Sequence, residues 1–418
     1  MRIRPFRALR PTPAAAAAVA CVPYDVVTTD AARALAADAP LSFLHVTRAE
    51  VDLAPDVDPH DGVVYATARD NLARLRREAP LVVEDEPALY VYRLRDGDHE
   101  QTGLAGCFPL DDYDAGAIKR HERTRRDKED DRTHHMAAVE AQTGIVFLAY
   151  RRRAEIDDLV AAVRAGAPLF DFEAPDGVRH TVWRATAGQT ADLVDGFGAV
   201  PALYIADGHH RVASAARARH ELAGRRTAGA GPAARDQLLG VAFPDRETRI
   251  LPYNRTVSDL AGAGPEEFLA AVAARLPVAP TDAPTPGKGA VAMYVDGRWH
   301  RVGLTPAAGS GASGPGAGDG ATDLAAGLDA ARLQALLLEP VLRVEDIRTD
   351  PRVRFVGGVH GTGELERLVD SGEAAVAFSL AAVTMDELLA VSDAGGIMPP
   401  KSTWFEPKLR DGLLTHLI

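Results

Sequence analysis

The chain has 418 residues, 46% of them apolar and 25% charged, which suits a water-soluble globular protein with room for two or three domains. Lys and Arg number 47 against 59 acidic residues, and the formal charge of -12 disfavours nucleic acid or an anionic membrane as partner. A phosphate-bearing ligand must therefore be met by a local basic site. Cys21 and Cys107 are too few for a disulfide framework and lack CxxC spacing, so a reducing, cytoplasmic setting is expected.

At the N-terminus Arg residues precede an alanine run, as in an export signal, but Pro11, Thr12 and Pro13 break the continuous apolar stretch that export requires. No stretch approaches the ~20 apolar residues of a membrane span. The runs LSFLHVTRA (41–49) and PALYVYRLR (87–95) suggest strands, and GVVYATARDNLARLRREA (62–79) has the apolar spacing of a helix. A charged segment, 117–144, leads into IVFLAY (145–150), a candidate buried strand, and then AEIDDLVAAVRAG (154–166), a candidate helix. After PALYIADGHHRVASAARARHE (201–221) come a loop-like GRRTAGAGPAARD (224–236) and the apolar run QLLGVAFP (237–244). Helix and strand signals also alternate from 328 to 395, so the fold class expected is α/β. The Gly/Ala/Ser-rich run 305–323 cannot bury apolar area and reads as a flexible linker between an N-terminal region, 1–304, and a C-terminal α/β unit, 324–418.

The stretch ADGHHR places its polar residues where an apolar strand ends and a run of strong helix formers begins. The first amides of a helix lack internal partners and its dipole is positive there, so an anion is favoured. Gly208 permits a positive φ or the close approach of a ligand. His209, His210 and Arg211 add donors, and Arg211 can grip two phosphate oxygens at once. Asp207 would repel a phosphate unless a cation or a substrate alcohol lies between them, so it is a possible metal ligand. The alternative is a capped first turn, with Asp207 as cap and the rest as surface decoration. Zinc is not expected, because adjacent histidines point to different helix faces and no third ligand stands at a recognisable spacing.

Between Lys119 and Arg132 the basic residues outnumber the acidic ones, and Lys128 and Arg132, four apart, could offer two cations to one phosphate chain. A solvated, ion-paired face is the alternative reading. In MPPKSTWF two prolines stiffen the approach to Lys401, Ser402 and Thr403, which could close over a phosphate or form a surface turn. The Gly-rich VGGVHGTGE (356–364) lacks a Walker lysine and reads as a turn.

Across IRPFRALRP, VPYDVV, KRHERTRRDKEDDR, IADGHHR and MPPKSTWFEPKL the chain resembles the DUF1015 family, and its phosphate loop is similar to that of the ParB/sulfiredoxin-like superfamily, in particular the free serine kinases. The resemblance implies a mixed α/β core of that type and a phosphotransferase acting on a small alcohol, best L-serine, with Mg2+ and with ATP, ADP or pyrophosphate as donor. It implies Glu122 as base, Asp207 orienting substrate or metal, and His210 as a further catalytic group. Gly208, His209, His210, Arg211, Lys128 and Arg132 would hold phosphate, and His121, Thr124, Lys401, Ser402 and Thr403 the substrate. A nucleotide-binding switch without turnover is the other function this loop could serve. Sulfiredoxin chemistry is not expected, since His209 stands where that loop carries its nucleophilic cysteine. DNA partition is not expected either, in an acidic chain without a helix-turn-helix pair. The oligomeric state is left open.

Overall fold

The run Gln237–Pro244 is buried at all eight positions, as a strand covered on both faces requires. It sits inside an eight-stranded mixed sheet in the computed structural model, which describes residues 1–78, 81–222, 234–305 and 324–418. In spatial order the strands are Ile118–Lys119, Leu203–Asp207, Val146–Tyr150, Gln237–Pro244, His99–Pro109, Tyr90–Asp96, Arg179–Arg184 and Phe170–Glu173. Ile118–Lys119 runs parallel to Leu203–Asp207, with Leu203 opposite Ile118 and Tyr204 opposite Lys119. These two neighbours therefore end on the same side of the sheet. The helices Arg126–Val139, Ala154–Arg164, Ala187–Phe197 and His209–Glu221 supply Met136, Ile156, Leu193 and Val212 to the core beside Val146, Leu148, Leu203 and Ile205.

The chain folds into two units, Met1–Thr248 with Pro407–Ile418, and Arg249–Glu406. The C-terminal segment joins the first unit through backbone pairing of Cys21 with Asp411 and of Leu9 with Thr415. The second unit holds a six-stranded antiparallel sheet, in which Ala290–Val295 pairs with Val376–Leu380. That pairing joins segments on either side of the Gly/Ala/Ser-rich run. The division consequently falls at Thr248 and Glu406 rather than at 305–323, because a sheet spanning the run makes it an insertion within one unit. Residues 306–323 themselves, like most of the loop-like 224–236 segment, lie outside the described residues.

The α/β class expected from the sequence holds. One element differs: LSFLHVTRA forms the helical turn Leu44–Thr47 and a 3-10 turn, Ala49–Asp52, instead of a strand. Phe43, Leu44 and Val46 are buried in one cluster with Val64, Ala68 and Leu72 of the helix Gly62–Glu78. Asn71 of that helix donates to the carbonyl of His45 at 2.7 Å, closing off the edge a strand would need. A short run buried on all sides has no periodicity to separate helix from strand. No helix among the described residues is long and apolar enough to cross a membrane.

Candidate functional site

The strand Leu203–Asp207 stops where Gly208 takes φ 100° and ψ 30°, and the helix His209–Glu221 begins at the next residue. The sequence places glycine at the one position there with a left-handed backbone. An added Cβ would stand 3.3 Å from Arg211 Cδ and 3.5 Å from Val146 Cγ2. Gly208→Ala is expected to cost about 1–2 kcal/mol in a urea melt, mostly from the positive φ.

Across the parallel pair, the chain leaving Ile118–Lys119 delivers His121 and Glu122 to the same end of the sheet. Ligands of open α/β sheets commonly bind beyond the carboxyl ends of the strands. The His121 and His209 rings meet edge to face with centroids 4.5 Å apart, and the His121 amide donates to His209 Nε2 at 3.4 Å. Burial pushes His121 down to about 4, against the pull of Asp207. Burial, with His121 next, holds His209 well below the ordinary imidazole range. Both rings are neutral at physiological pH. His210 Nε2 accepts from the Arg125 amide at 3.1 Å, which places the proton of a neutral ring on Nδ1.

Asp207 is engaged by a residue that sequence reasoning did not single out. Lys408 Nζ donates to Asp207 Oδ2 at 3.0 Å. Burial opposes ionisation of this carboxyl, but the attraction of Lys408 and Arg211 outweighs it and holds Asp207 well below the usual carboxylate range. The signal was in MPPKSTWFEPKL, whose second lysine, not its first, reaches the loop.

Arg211 does something other than grip phosphate. Its Nη2 bonds both oxygens of Asp25 at 2.8 and 2.9 Å, and its Nη1 donates to the Ile145 carbonyl at 2.8 Å. The side chain is buried, with its guanidinium 5.5 Å from the Tyr24 ring centroid. Arg132 lies 4.3 Å from the same ring centroid and pairs with Asp131 at 2.8 Å. The YD of VPYDVV thus anchors the arginine of ADGHHR. A cavity of about 30 Å³ beside Tyr24, Arg132, Gly144 and Arg211 has room for a water molecule, not a nucleotide.

The charged segment is corrected in the same way. Lys128 and Arg132 do share the helix Arg126–Val139, but Lys128 is exposed while Arg132 is turned into the Tyr24 stack. They do not form one anion clamp. Thr124 donates its hydroxyl to the Glu129 carboxylate, and the Glu129 main-chain carbonyl accepts from Ser214 at 3.1 Å, which ties this helix to His209–Glu221.

Lys401, Ser402 and Thr403 belong to the second unit. There Lys401 has φ 53° and its ammonium lies 5.7 Å from the Tyr253 ring centroid. Arg255 donates to the Pro400 carbonyl at 3.3 Å, and Ser402 Oγ donates to the Pro399 carbonyl at 2.7 Å, so Arg255 and Ser402 hold the shape of this loop.

Together these features define an α/β protein with a buried imidazole pair, two carboxylates and a lysine gathered where two parallel strands end and a helix begins. The family model for "Protein of unknown function (DUF1015)" matches residues 3–331, and the chain belongs to that family. No curated protein matches it. Several solved structures are similar at low identity. A conserved hypothetical protein from Pyrococcus furiosus has 14% identity and a TM-score of 0.36, covering 75% of this chain and 95% of its own. A free serine kinase in complex with AMP has 12% identity and a TM-score of 0.35, covering 74% and 91%. A C-terminally truncated SbnI from Staphylococcus aureus has 11% identity and a TM-score of 0.38, covering 75% and 87%.

Proposed function

We propose that this protein is a phosphotransferase that passes a phosphoryl group from ATP, ADP or pyrophosphate to the hydroxyl of a small metabolite, with free L-serine the first acceptor to test. One observation carries the reading: a helix N-terminus opened by a left-handed glycine stands beside an ionised Asp207–Lys408 pair, next to the segment bearing Glu122. Phosphoryl transfer asks for this combination of anion binding, charge neutralisation and a proton acceptor more than for covalent chemistry. The acceptor comes from the resemblance of the Asp207–Arg211 loop to that of free serine kinases, and the ParB/sulfiredoxin-like classification of the core is part of the same proposal.

In this scheme the serine hydroxyl attacks the terminal phosphorus, its proton passes to Glu122, and the donor leaves as the shortened nucleotide or as phosphate. The helix amides and Lys408 face the phosphate charge, with His210 beside them. Arg211 acts through Asp25 and Ile145 as a positioning residue. Mg2+ takes oxygen ligands and commonly needs only one or two carboxylates besides the donor's phosphates. Asp207 is the carboxylate available to it beside the base Glu122, and Mg2+ would neutralise phosphate charge there.

The test is incubation of the full chain with L-serine, Mg2+ and each donor in turn, with O-phosphoserine read by mass spectrometry. Product is expected with one donor, and Glu122→Gln is expected to lower kcat about 100-fold or more at unchanged circular dichroism. Folded protein that makes no phosphoserine with any donor would sink the serine reading. Tight nucleotide binding that no alcohol alters would favour the switch instead.

A further inference from the structure

We infer that His121, Glu122 and His209 form a binding site for a first-row transition-metal dication of the zinc, cobalt or manganese class, separate from the Mg2+ that accompanies a phosphoryl donor. One ligand atom from each of the three lies within 4.8 Å of the others. Bonds of about 2.0–2.2 Å place neighbouring ligands roughly 3–3.5 Å apart, so filling the site needs the side chains to close by up to about 1.3–1.8 Å. Glu122, only half-buried and on the loop after its strand, can supply that movement.

The sequence argued against such a site because adjacent histidines diverge and no third ligand stands nearby. The topology removes the objection. His210 does turn away, to the Arg125 amide, but parallel pairing of Ile118–Lys119 with Leu203–Asp207 brings His121 and Glu122 to His209 across 88 residues of chain. The ligand set is two imidazoles and one carboxylate, which suits borderline dications, whereas Mg2+ strongly prefers oxygen. His209 Nε2 accepts from the His121 amide at 3.4 Å, so its lone pair lies on the His121 side of the ring. A set of three protein ligands leaves positions open for water or substrate. With one Glu122 oxygen on the ion, the other can still receive a proton, so this inference does not require the base assignment above to change.

The experiment uses the full chain, stripped with chelator and titrated with Co2+ in the absence of any donor or acceptor. Visible absorption saturating at one equivalent, reversed by Zn2+ and unaffected by Mg2+, is the expected result. Glu122→Gln and His121→Ala should each weaken Co2+ binding about tenfold or more, while His134→Ala, an exposed control, leaves it unchanged. If the His121 variant fails to fold, the wild-type Co2+ protein still decides, because two coordinated imidazoles give two strongly shifted, exchangeable ring proton resonances. Absence of saturable binding, or affinity unchanged in folded Glu122→Gln, overturns the site. Because no turnover is measured, a failed phosphotransfer assay leaves this result standing, and the reverse also holds.

Discussion

Arg211→Met is expected to destabilise the first unit by about 2–4 kcal/mol, lowering its melting temperature by roughly 5–15 °C. The arginine is buried and spends its fork on Asp25 and the Ile145 carbonyl. Methionine keeps much of the packing on Tyr24 but removes the charge that Asp25 and Asp207 both see. Losing one member of a fully buried pair costs about 3–5 kcal/mol. Asp25 is 36% exposed and can regain water, which brings the figure down. Gly144 sharpens the demand for this side chain, since a Cβ there would stand 3.1 Å from Arg211 Cδ. Arg211→Lys should recover part of the loss, as a point charge without the fork. A urea melt followed by far-UV circular dichroism reads the effect. A variant of unchanged stability that has lost donor affinity would return Arg211 to direct phosphate contact.

The difference between that expectation and the one read from ADGHHR shows what was legible. Strand, left-handed glycine and helix followed from local pattern, because each is a property of a few consecutive residues: Leu203–Asp207 is apolar up to its last residue, Gly208 tolerates φ 100°, and the helix formers begin at once. The direction of a long side chain is not such a property. Arg211 and Arg132 both turn toward Tyr24, a ring supplied from more than 100 residues away, so their roles depend on tertiary contacts that no spacing encodes. Lys408 was hidden for the same reason. It lies in a recognisable motif, yet long-range contacts, among them the backbone pairing of Asp411 with Cys21, of Thr415 with Leu9 and of His416 with Gln142, fix its segment in the first unit and let it meet Asp207. The unit boundary was misplaced because low complexity marks where a chain can loop out. It does not say whether the flanking strands pair, as Ala290–Val295 and Val376–Leu380 do.

Acidification from pH 7 to pH 5 is expected to unfold the first unit. Six of its described histidines are buried, His45 beside Asp52 and five others: His121, His135, His180, His209 and His416. Burial holds His121, His135 and His416 down to about 4 and His180 to about 3, and His209 is also well below its ordinary value. The folded values lie below the unfolded value of about 6.5, so between them the unfolded chain binds more protons. Stability is therefore complete above pH 6.5 and falls as the pH drops toward 4. At pH 5 each of His121, His135, His180 and His416 costs about 2 kcal/mol at 1.36 kcal/mol per unit, and their sum of about 8 kcal/mol rivals a typical domain's stability of about 5–15 kcal/mol. Asp411 works the other way. Burial lifts it to about 7 against the pull of Arg211, so its protonation stabilises the fold as pH falls through 7 and offsets roughly one histidine. Asp207 contributes nothing in this window, since its depressed value is titrated only below the ordinary carboxylate range. His180 gives the clearest local cause. Its Nε2 accepts from Arg410 Nε at 3.3 Å, which leaves the ring proton on Nδ1, facing the Tyr92 hydroxyl at 2.9 Å; an imidazolium keeps the second contact but cannot accept from Arg410. His180→Gln, which keeps an acceptor without a titration, should move the acid midpoint to lower pH. Hydrogen exchange by mass spectrometry across pH 7 to 4 checks the prediction, with protection lost first in peptides of residues 1–248; protection retained there to pH 4 would show that the five rings do not govern acid stability.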